Sequence, residues 1–291
     1  LTPQEQCMKL LRYDAIFYVL RNGNSFHKLK MAHILGLNGD RQQLVDELRS
    51  LQNEDGGWPW QLVTGNPSGV SDTAKVLELL SCVGLDGASS TIKKGIFFLL
   101  AQQHRDGGWS ESPELQGIIP RDWTWVSTRH SGYQTADVVN ALVEVGYRGE
   151  EMGRAIGFLR STQNEEGGWF SHVGPSSYTG SDVASTDHIV LAFLRCGEPK
   201  ESQVFQRAKR MLLERRGTID SPVDGTAVLS VLLALGYPPE DEYVSQLIEN
   251  LIEAQRPDGG WNWFSDLPSN PSQTVDSLEQ LVKCGVKIPF R

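Results

Sequence analysis

No run of apolar residues in this chain of 291 residues reaches the roughly 18 that a membrane-crossing helix needs, and residues 1–11 carry no signal-peptide core. Basic residues are outnumbered, 27 Lys and Arg against 36 Asp and Glu for a net charge of −9, which argues against a nucleic-acid partner. Cysteine is scarce. Cys7, Cys82, Cys196 and Cys284 lie far apart with no Cys-x-x-Cys, which excludes zinc ribbons and a dense disulfide framework and favours a reducing compartment. The six histidines include no His-x-x-x-His, and only Asp187-His188 sets a carboxylate beside an imidazole. Neighbours on a helix point about 100° apart, so that pair chelates poorly. The chain is therefore expected to be soluble and cytoplasmic, at most peripheral to a membrane, with no metal and no cofactor. The 39% hydrophobic residues and 29 glycines fall in the globular range of about 45–50% apolar composition.

What the sequence does contain is repetition. Gln52 to Trp58 reads QNEDGGW, Gln103 to Trp109 QHRDGGW, Gln163 to Trp169 QNEEGGW and Gln255 to Trp261 QRPDGGW. The tryptophans stand 51, 60 and 92 residues apart, so the last gap spans two periods and one repeat has lost its signature near residues 215–220. Six apolar segments each stop at a glycine, at Gly36, Gly84, Gly146, Gly197, Gly236 and Gly285, where a left-handed residue can close a helix. Upstream of each GGW lies a segment with apolar residues at helical spacing and charge on the other face.

Each repeat thus reads as amphipathic helix, GGW turn, loop, nearly all-apolar helix, glycine stop. The spacing predicts helices over 4–20, 26–35, 41–52, 72–83, 89–103, 134–145, 150–163, 186–196, 200–214, 224–235, 241–255 and 273–284. Six mostly apolar helices alternating with six striped ones close most simply as two concentric rings. The expected fold is all-α, a single (α/α)6 toroid over residues 1–291, with six inner and six outer helices.

Lys94-Gly95, Phe98, Gln102-Gln103 and Gly108-Trp109, echoed by Phe158, Gln163 and Gly168-Trp169, resemble the QW repeat of squalene–hopene and oxidosqualene cyclases. The resemblance covers nearly the whole chain and extends to the protein-prenyltransferase β-subunits. It implies the toroid and, more weakly, a class II cyclase that folds and protonates an isoprenoid, a prenyl diphosphate or a polyene, in a central cavity. Those cyclases usually pair two helical domains, whereas this chain has residues for one. The alternative is a non-catalytic toroid that binds an isoprenoid or a protein, or one domain or subunit of a larger cyclase or prenyltransferase. The Asp-x-Cys of the zinc-holding prenyltransferases is absent.

The four GGW tryptophans are assigned to stability, their indoles anchoring one outer helix on the next, and Cys82, Cys196 and Cys284 to the core at inner-helix ends. In a toroid the loops after GGW gather at the mouth of the cavity. There Trp60, Trp123, Trp125, Tyr133, Tyr178 and Trp263 could face a carbocation, and Arg121, Arg129 and His130, in the longest loop, could hold a diphosphate. The resemblance also implies an acid, the middle Asp of an Asp-x-Asp-Asp-Thr at the start of an inner helix. Only fragments stand here. Asp182-Val183-Ala184-Ser185-Thr186 keeps the first Asp, Asp224 lies in the acid's register, and Val70-Ser71-Asp72-Thr73-Ala74 keeps only the Asp beside Thr. Asp224, Asp187 and Asp182 are the candidate acids, while a lone Asp72, Asp187, Asp224 or Asp276 also fits a helix cap or first-turn residue.

Overall fold

The structure, a computed structural model, describes residues 9–119, 131–170, 181–263 and 267–289. Among them lie twelve α-helices: α1 (Ala15–Asn22), α2 (Ser25–Ile34), α3 (Arg41–Ser50), α4 (Val70–Cys82), α5 (Ser90–Ala101), α6 (Gly132–Glu144), α7 (Glu150–Ser161), α8 (Val183–Arg195), α9 (Gln203–Glu214), α10 (Pro222–Leu235), α11 (Glu242–Glu253) and α12 (Pro271–Lys283). A two-stranded antiparallel ribbon, β1 (Trp58–Pro59) with β2 (Ser68–Gly69), pairs Trp58 with Gly69. The all-α class read from the spacing is what the structure shows. Helix α1 starts later than expected because Asp14 caps it, accepting from Phe17 N–H. The preceding chain is held by the Gln255 side chain, which accepts from Arg12 and Tyr13 N–H.

The chain divides into two compact units, Leu1–Val45 with Arg216–Arg291, and Asp46–Arg215. In the second, α4, α6 and α8 pack side by side, each backed by its own outer helix, α5, α7 or α9. In the first, α12 packs against α1, α2 and α10, and α10 against α11. The segment with the lost signature contains a 3-10 turn, Arg216–Thr218.

The GGW turn explains the repeat. Trp58, Trp109, Trp169 and Trp261 are at most 1% exposed. Each indole N–H donates to a leucine carbonyl ten residues back on the outer helix, Leu48, Leu99, Leu159 or Leu251, at 2.7 Å. Each main-chain N–H donates to a threonine hydroxyl in the first turn of the following inner helix, Thr73, Thr135, Thr186 or Thr274, at 2.8–3.4 Å. The signature glutamine closes the turn and reaches the next outer helix. Gln103 Nε2, for example, donates to Gly107 O and to Glu151 O.

Two sequence expectations need correction. Cys82 and Cys196 are exposed and Cys284 is half-buried, so they are not core. They sit at or beside the C-caps of α4, α8 and α12, where the chain turns away from the packed segment. The inner helices are also not uniformly apolar. Helix α10 comes nearest, with only Thr226 and Ser230 polar among its buried residues, but α6 buries Gln134, Asp137 and Asn140.

Gly107 has φ +95°, and a Cβ placed on it would collide with the Arg154 carbonyl. Gly146, the stop after α6, has φ +78° and open space around it. Gly146→Ala should therefore cost only the left-handed penalty, about 1–2 kcal/mol, and Gly107→Ala a further 1–3 kcal/mol, roughly, for the overpacked contact. Urea unfolding of the two variants reads the difference, and equal costs would show that the turn is not pinned against α7.

Candidate functional site

Aligning the repeat threonines places the chemistry. The residues two positions after Thr73, Thr135 and Thr186 are Lys75, Asp137 and His188. Because α4, α6 and α8 lie side by side in register, these three meet. Lys75 Nζ is 3.8 Å from Asp137 Oδ2, and Asp137 Oδ1 is 2.6 Å from His188 Nδ1. Tyr133, one turn before Asp137, takes a 3.0 Å hydrogen bond from Lys75 Nζ and lies 4.4 Å, centroid to centroid, from the His188 ring. Burial opposes charge on all three, but their mutual attraction outweighs it. Asp137 is held below the usual carboxylate range, and His188 and Lys75 above their ordinary values.

One turn before Lys75 on the same helix stands Asp72. Its Oδ2 accepts from Gln61 N–H at 3.1 Å. Gln61 and Leu62 both have φ 56°, an uncommon left-handed backbone for residues other than glycine, in the segment between Trp60 and β2. The free amides at the start of α4 are taken by another carboxylate. Glu111, 2% exposed and two residues past Trp109, accepts from Val70 N–H at 2.7 Å and from Ser71 N–H at 3.1 Å. A methyl group on Gly69 would touch Asp72 Oδ2, the Trp60 indole and Glu111 Oε2, so these three converge on one point.

An aspartate in the first turn of a helix is ordinarily stabilised as the anion. Here Glu111 occupies that field, and Asp72 goes the other way. Burial, then the Glu111 charge, push its pKa up to about 7, against Lys75 and the Gln61 N–H. Glu111 is also raised by burial, opposed by Ser71, Val70 and Lys75. The Ser71 hydroxyl lies within electrostatic reach of both Glu111 and Asp137. The result is a carboxyl pair that keeps a proton near neutral pH, with a fixed cation one turn away.

The residues singled out in the sequence fall as follows. Trp60 and Tyr133 belong to this cluster, Trp60 near Asp72 and Tyr133 on Lys75. Asp182 caps α8, accepting from Ala184 N–H, Ser185 N–H and Ser185 Oγ. Asp187 is half-buried beside His188 and helps to raise its pKa. Asp224 lies in the first turn of α10, in the other compact unit, where it exchanges hydrogen bonds with Ser221. Trp263 is half-buried after the last GGW turn. Arg121, Trp123, Trp125, Arg129, His130 and Tyr178 lie outside the described residues. Sequence reasoning passed over Asp72 as a cap and did not single out Glu111, Lys75 or Asp137. A shallow depression on α9, lined by Gln206, Lys209, Arg210, Leu213 and Glu214, shares no residue with the cluster.

No family model matches the chain. In sequence it is similar to a probable squalene–hopene cyclase of Sinorhizobium fredii, 23% identical over 88% of this chain and 36% of that protein. The chain thus spans about a third of that relative's length. In structure it is similar to the type II terpene cyclase MstE from Scytonema, with a TM-score of 0.62 and 16% identity over 90% of this chain and 86% of that one. The same cyclase, as its R337A variant, has been solved with geranylgeranyl dihydroxybenzoate as substrate, at a TM-score of 0.61, 15% identity and the same coverage. The ent-copalyl diphosphate synthase from Streptomyces platensis aligns with a TM-score of 0.60 and 19% identity over 90% of this chain and half of that one. The chain resembles the terpenoid cyclase superfamily in sequence and shares the fold of its type II members.

Between its ordinary value of 3.8 and about 7, Asp72 binds more protons in the folded than in the unfolded chain, so it lowers stability as pH rises through that window. Asp72→Asn removes this titration. The variant should gain stability over wild type between pH 4 and pH 8, by at most about 4 kcal/mol, because each pH unit separating the folded and unfolded midpoints is worth roughly 1.4 kcal/mol. Urea unfolding at the two pH values measures the gap. A gap that does not change with pH would show that Asp72 has no raised pKa.

Proposed function

We propose that the chain is a type II terpene cyclase-like enzyme in which Asp72 protonates an isoprenoid double bond. The observation that carries this reading is the convergence of Asp72, Glu111 and Trp60 on one point, where burial and the Glu111 charge push the Asp72 pKa up to about 7. Such a donor has two requirements: it must rest protonated, and its anion must be stabilised once the proton has left. Glu111 and burial serve the first, and Gln61 N–H and Lys75 the second. The Asp72 proton goes to a terminal alkene carbon, leaving a tertiary cation. The electron pair of the next double bond then attacks that cation, forming a ring and a new cation. The last cation loses a proton to give the product alkene, and Asp72 takes up a proton from solvent to restart the cycle.

Aromatic rings stabilise such cations, by about 2 kcal/mol or more each when desolvated. Trp60 and Tyr133, which border the Asp72–Lys75 cluster, are assigned this role, and Trp123, Trp125, Tyr178 and Trp263 the same role on sequence grounds. Arg121, Arg129 and His130 are the head-group residues if the substrate carries a diphosphate. Asp182, Asp187 and Asp224 are secondary candidates for the acid, and the capping bonds of Asp182 make it the weakest of them.

The cyclases that the chain resembles are named for squalene or carry a geranylgeranyl chain, so squalene, geranylgeranyl diphosphate and geranylgeranyl dihydroxybenzoate are the substrates to offer. Wild type should convert at least one to a cyclic product detected by gas or liquid chromatography with mass spectrometry. Asp72→Asn should lower turnover by about a thousandfold or more, since proton transfer by a placed acid contributes about 10²–10⁴ and the amide cannot supply it. Asp182→Asn, Asp187→Asn and Asp224→Asn should retain far more. Undiminished product from Asp72→Asn would pass the acid's role to another of these residues. Binding of a polyene without any product from wild type would favour the rival reading of an isoprenoid-binding protein that works with a partner domain or subunit.

A further inference from the structure

Resting on the reading of Asp72 as the proton donor, we infer that Lys75 is a positioning residue that sets the acidity of the Asp72–Glu111 pair, and that Asp137, Tyr133 and His188 exist at this site to hold its ammonium there.

The geometry is specific. Lys75 follows Asp72 by one helical turn, so the two side chains share a face of α4. The Lys75 stem is not left to wander, because Nζ is bonded to Tyr133 Oη at 3.0 Å and lies 5.3 Å from the centre of the same ring. Asp137, one turn after Tyr133 on α6, faces the same ammonium. That carboxylate is 4% exposed, and while Oδ1 is taken by His188, Oδ2 has no hydrogen-bond partner among the described residues and lies 3.8 Å from Lys75 Nζ. A buried carboxylate oxygen without a donor is costly unless a cation faces it. Lys75 is that cation. Removing Lys75 would thus take a counter-charge from Asp137, Asp72 and Glu111 together and leave Asp137 to His188 alone.

A carboxyl with a strongly raised pKa rests protonated but gives its proton up reluctantly. A neighbouring ammonium favours the anion formed on donation, so it offsets the burial and like-charge repulsion that keep the proton in place. The groups that face Asp72 are Glu111 from the loop after Trp109, Lys75 on its own helix, Asp137 from α6 and the Gln61 N–H. Of these only Lys75 is a cation. His188 is one step further away: when it loses its proton at high pH, Asp137 becomes less compensated, and the demand on Lys75 increases.

The test titrates the acid without depending on turnover. Carboxyl carbons labelled with 13C in Asp and Glu report the midpoint of Asp72 by NMR, assigned by its loss in Asp72→Asn. In Lys75→Met the Asp72 midpoint should move up by at least one pH unit, and Lys75→Arg should return it to within about half a unit of wild type. Asp137→Asn, which removes an anion, should move it slightly down if Lys75 stays in place. Melting curves for each variant separate unfolding from titration. Should Lys75→Met be too unstable to titrate, Tyr133→Phe, which removes one tether of the ammonium and leaves the charge, should give an upward shift of smaller size. With an active substrate, the pH–rate profile of Lys75→Met should keep its shape, displaced upward, with kcat lowered more than KM is raised. An unchanged Asp72 midpoint in both Lys75→Met and Tyr133→Phe would overturn the inference whether or not the protein cyclises anything. A shifted midpoint in a protein that turns over no polyene would uphold the coupling and defeat the cyclase reading.

Discussion

Each inner helix that follows a GGW turn is held at its start by a tryptophan that is bonded in two directions. The indole N–H ties the ring to the outer helix behind it, and the main-chain N–H ties the turn to the threonine hydroxyl ahead. The threonine is constrained as well. Thr135 Oγ1 donates to Ser131 O and Thr274 Oγ1 to Asn270 O, one helical turn back, so the hydroxyl has a fixed direction in which to accept. A buried indole contributes a large apolar contact, and each satisfied hydrogen bond a net of about 1 kcal/mol. What matters more is that the arrangement allows one position of the inner helix along its axis.

That axial register is why charges on different inner helices meet. If α4, α6 and α8 could slide by a turn, about 5.4 Å, Lys75 and His188 would each lose Asp137. With the register set, the position two residues after each threonine is a shared level. In the first compact unit the corresponding repeat position carries Asp276, which pairs with Lys30 at 2.7 Å, while Glu279 one turn on also reaches Lys30, and although burial opposes it, Lys30 and Lys283 push the Glu279 pKa down to about 2. The repeat position is occupied by Val228 on α10, where the tryptophan signature is missing and the helix is nearly all apolar. Polar residues at this depth therefore follow the register-setting turn.

The helices were legible in the sequence because their signals are local: apolar spacing, a glycine stop, a polar cap. Where the spacing misled among the described residues, just before α1, a distant side chain, Gln255, takes the Arg12 and Tyr13 amides, and no local pattern reports that. The site was less legible for the same reason. Glu111 follows Trp109 by two residues and looks like any loop acid, yet it acts on α4, some forty residues earlier in the chain. Asp137 and His188 lie 51 residues apart on helices that read as core segments. Only the repeat threonines bring them together, and of those Thr73 and Thr186 stood in motif fragments while Thr135 and Thr274 carried no mark of a register common to four repeats.

Four aspartates near inner-helix starts show why residue type and position do not assign the acid. Asp182 receives two backbone N–H groups and a serine hydroxyl, so its oxygens are engaged in capping α8. Asp276 faces the Lys30 ammonium and Asp224 the Ser221 hydroxyl. Asp72 has one backbone N–H and a second carboxylate before it, because the amides it would otherwise compete for belong to Glu111. The same side chain at nearly the same point of the same repeat is thus a cap, an ion-pair partner or a proton store according to what the neighbouring loop contributes. Since the GGW turn fixes where that loop leaves the outer helix, the two residues after Trp109 are enough to put a glutamate over α4 and change the chemistry of Asp72.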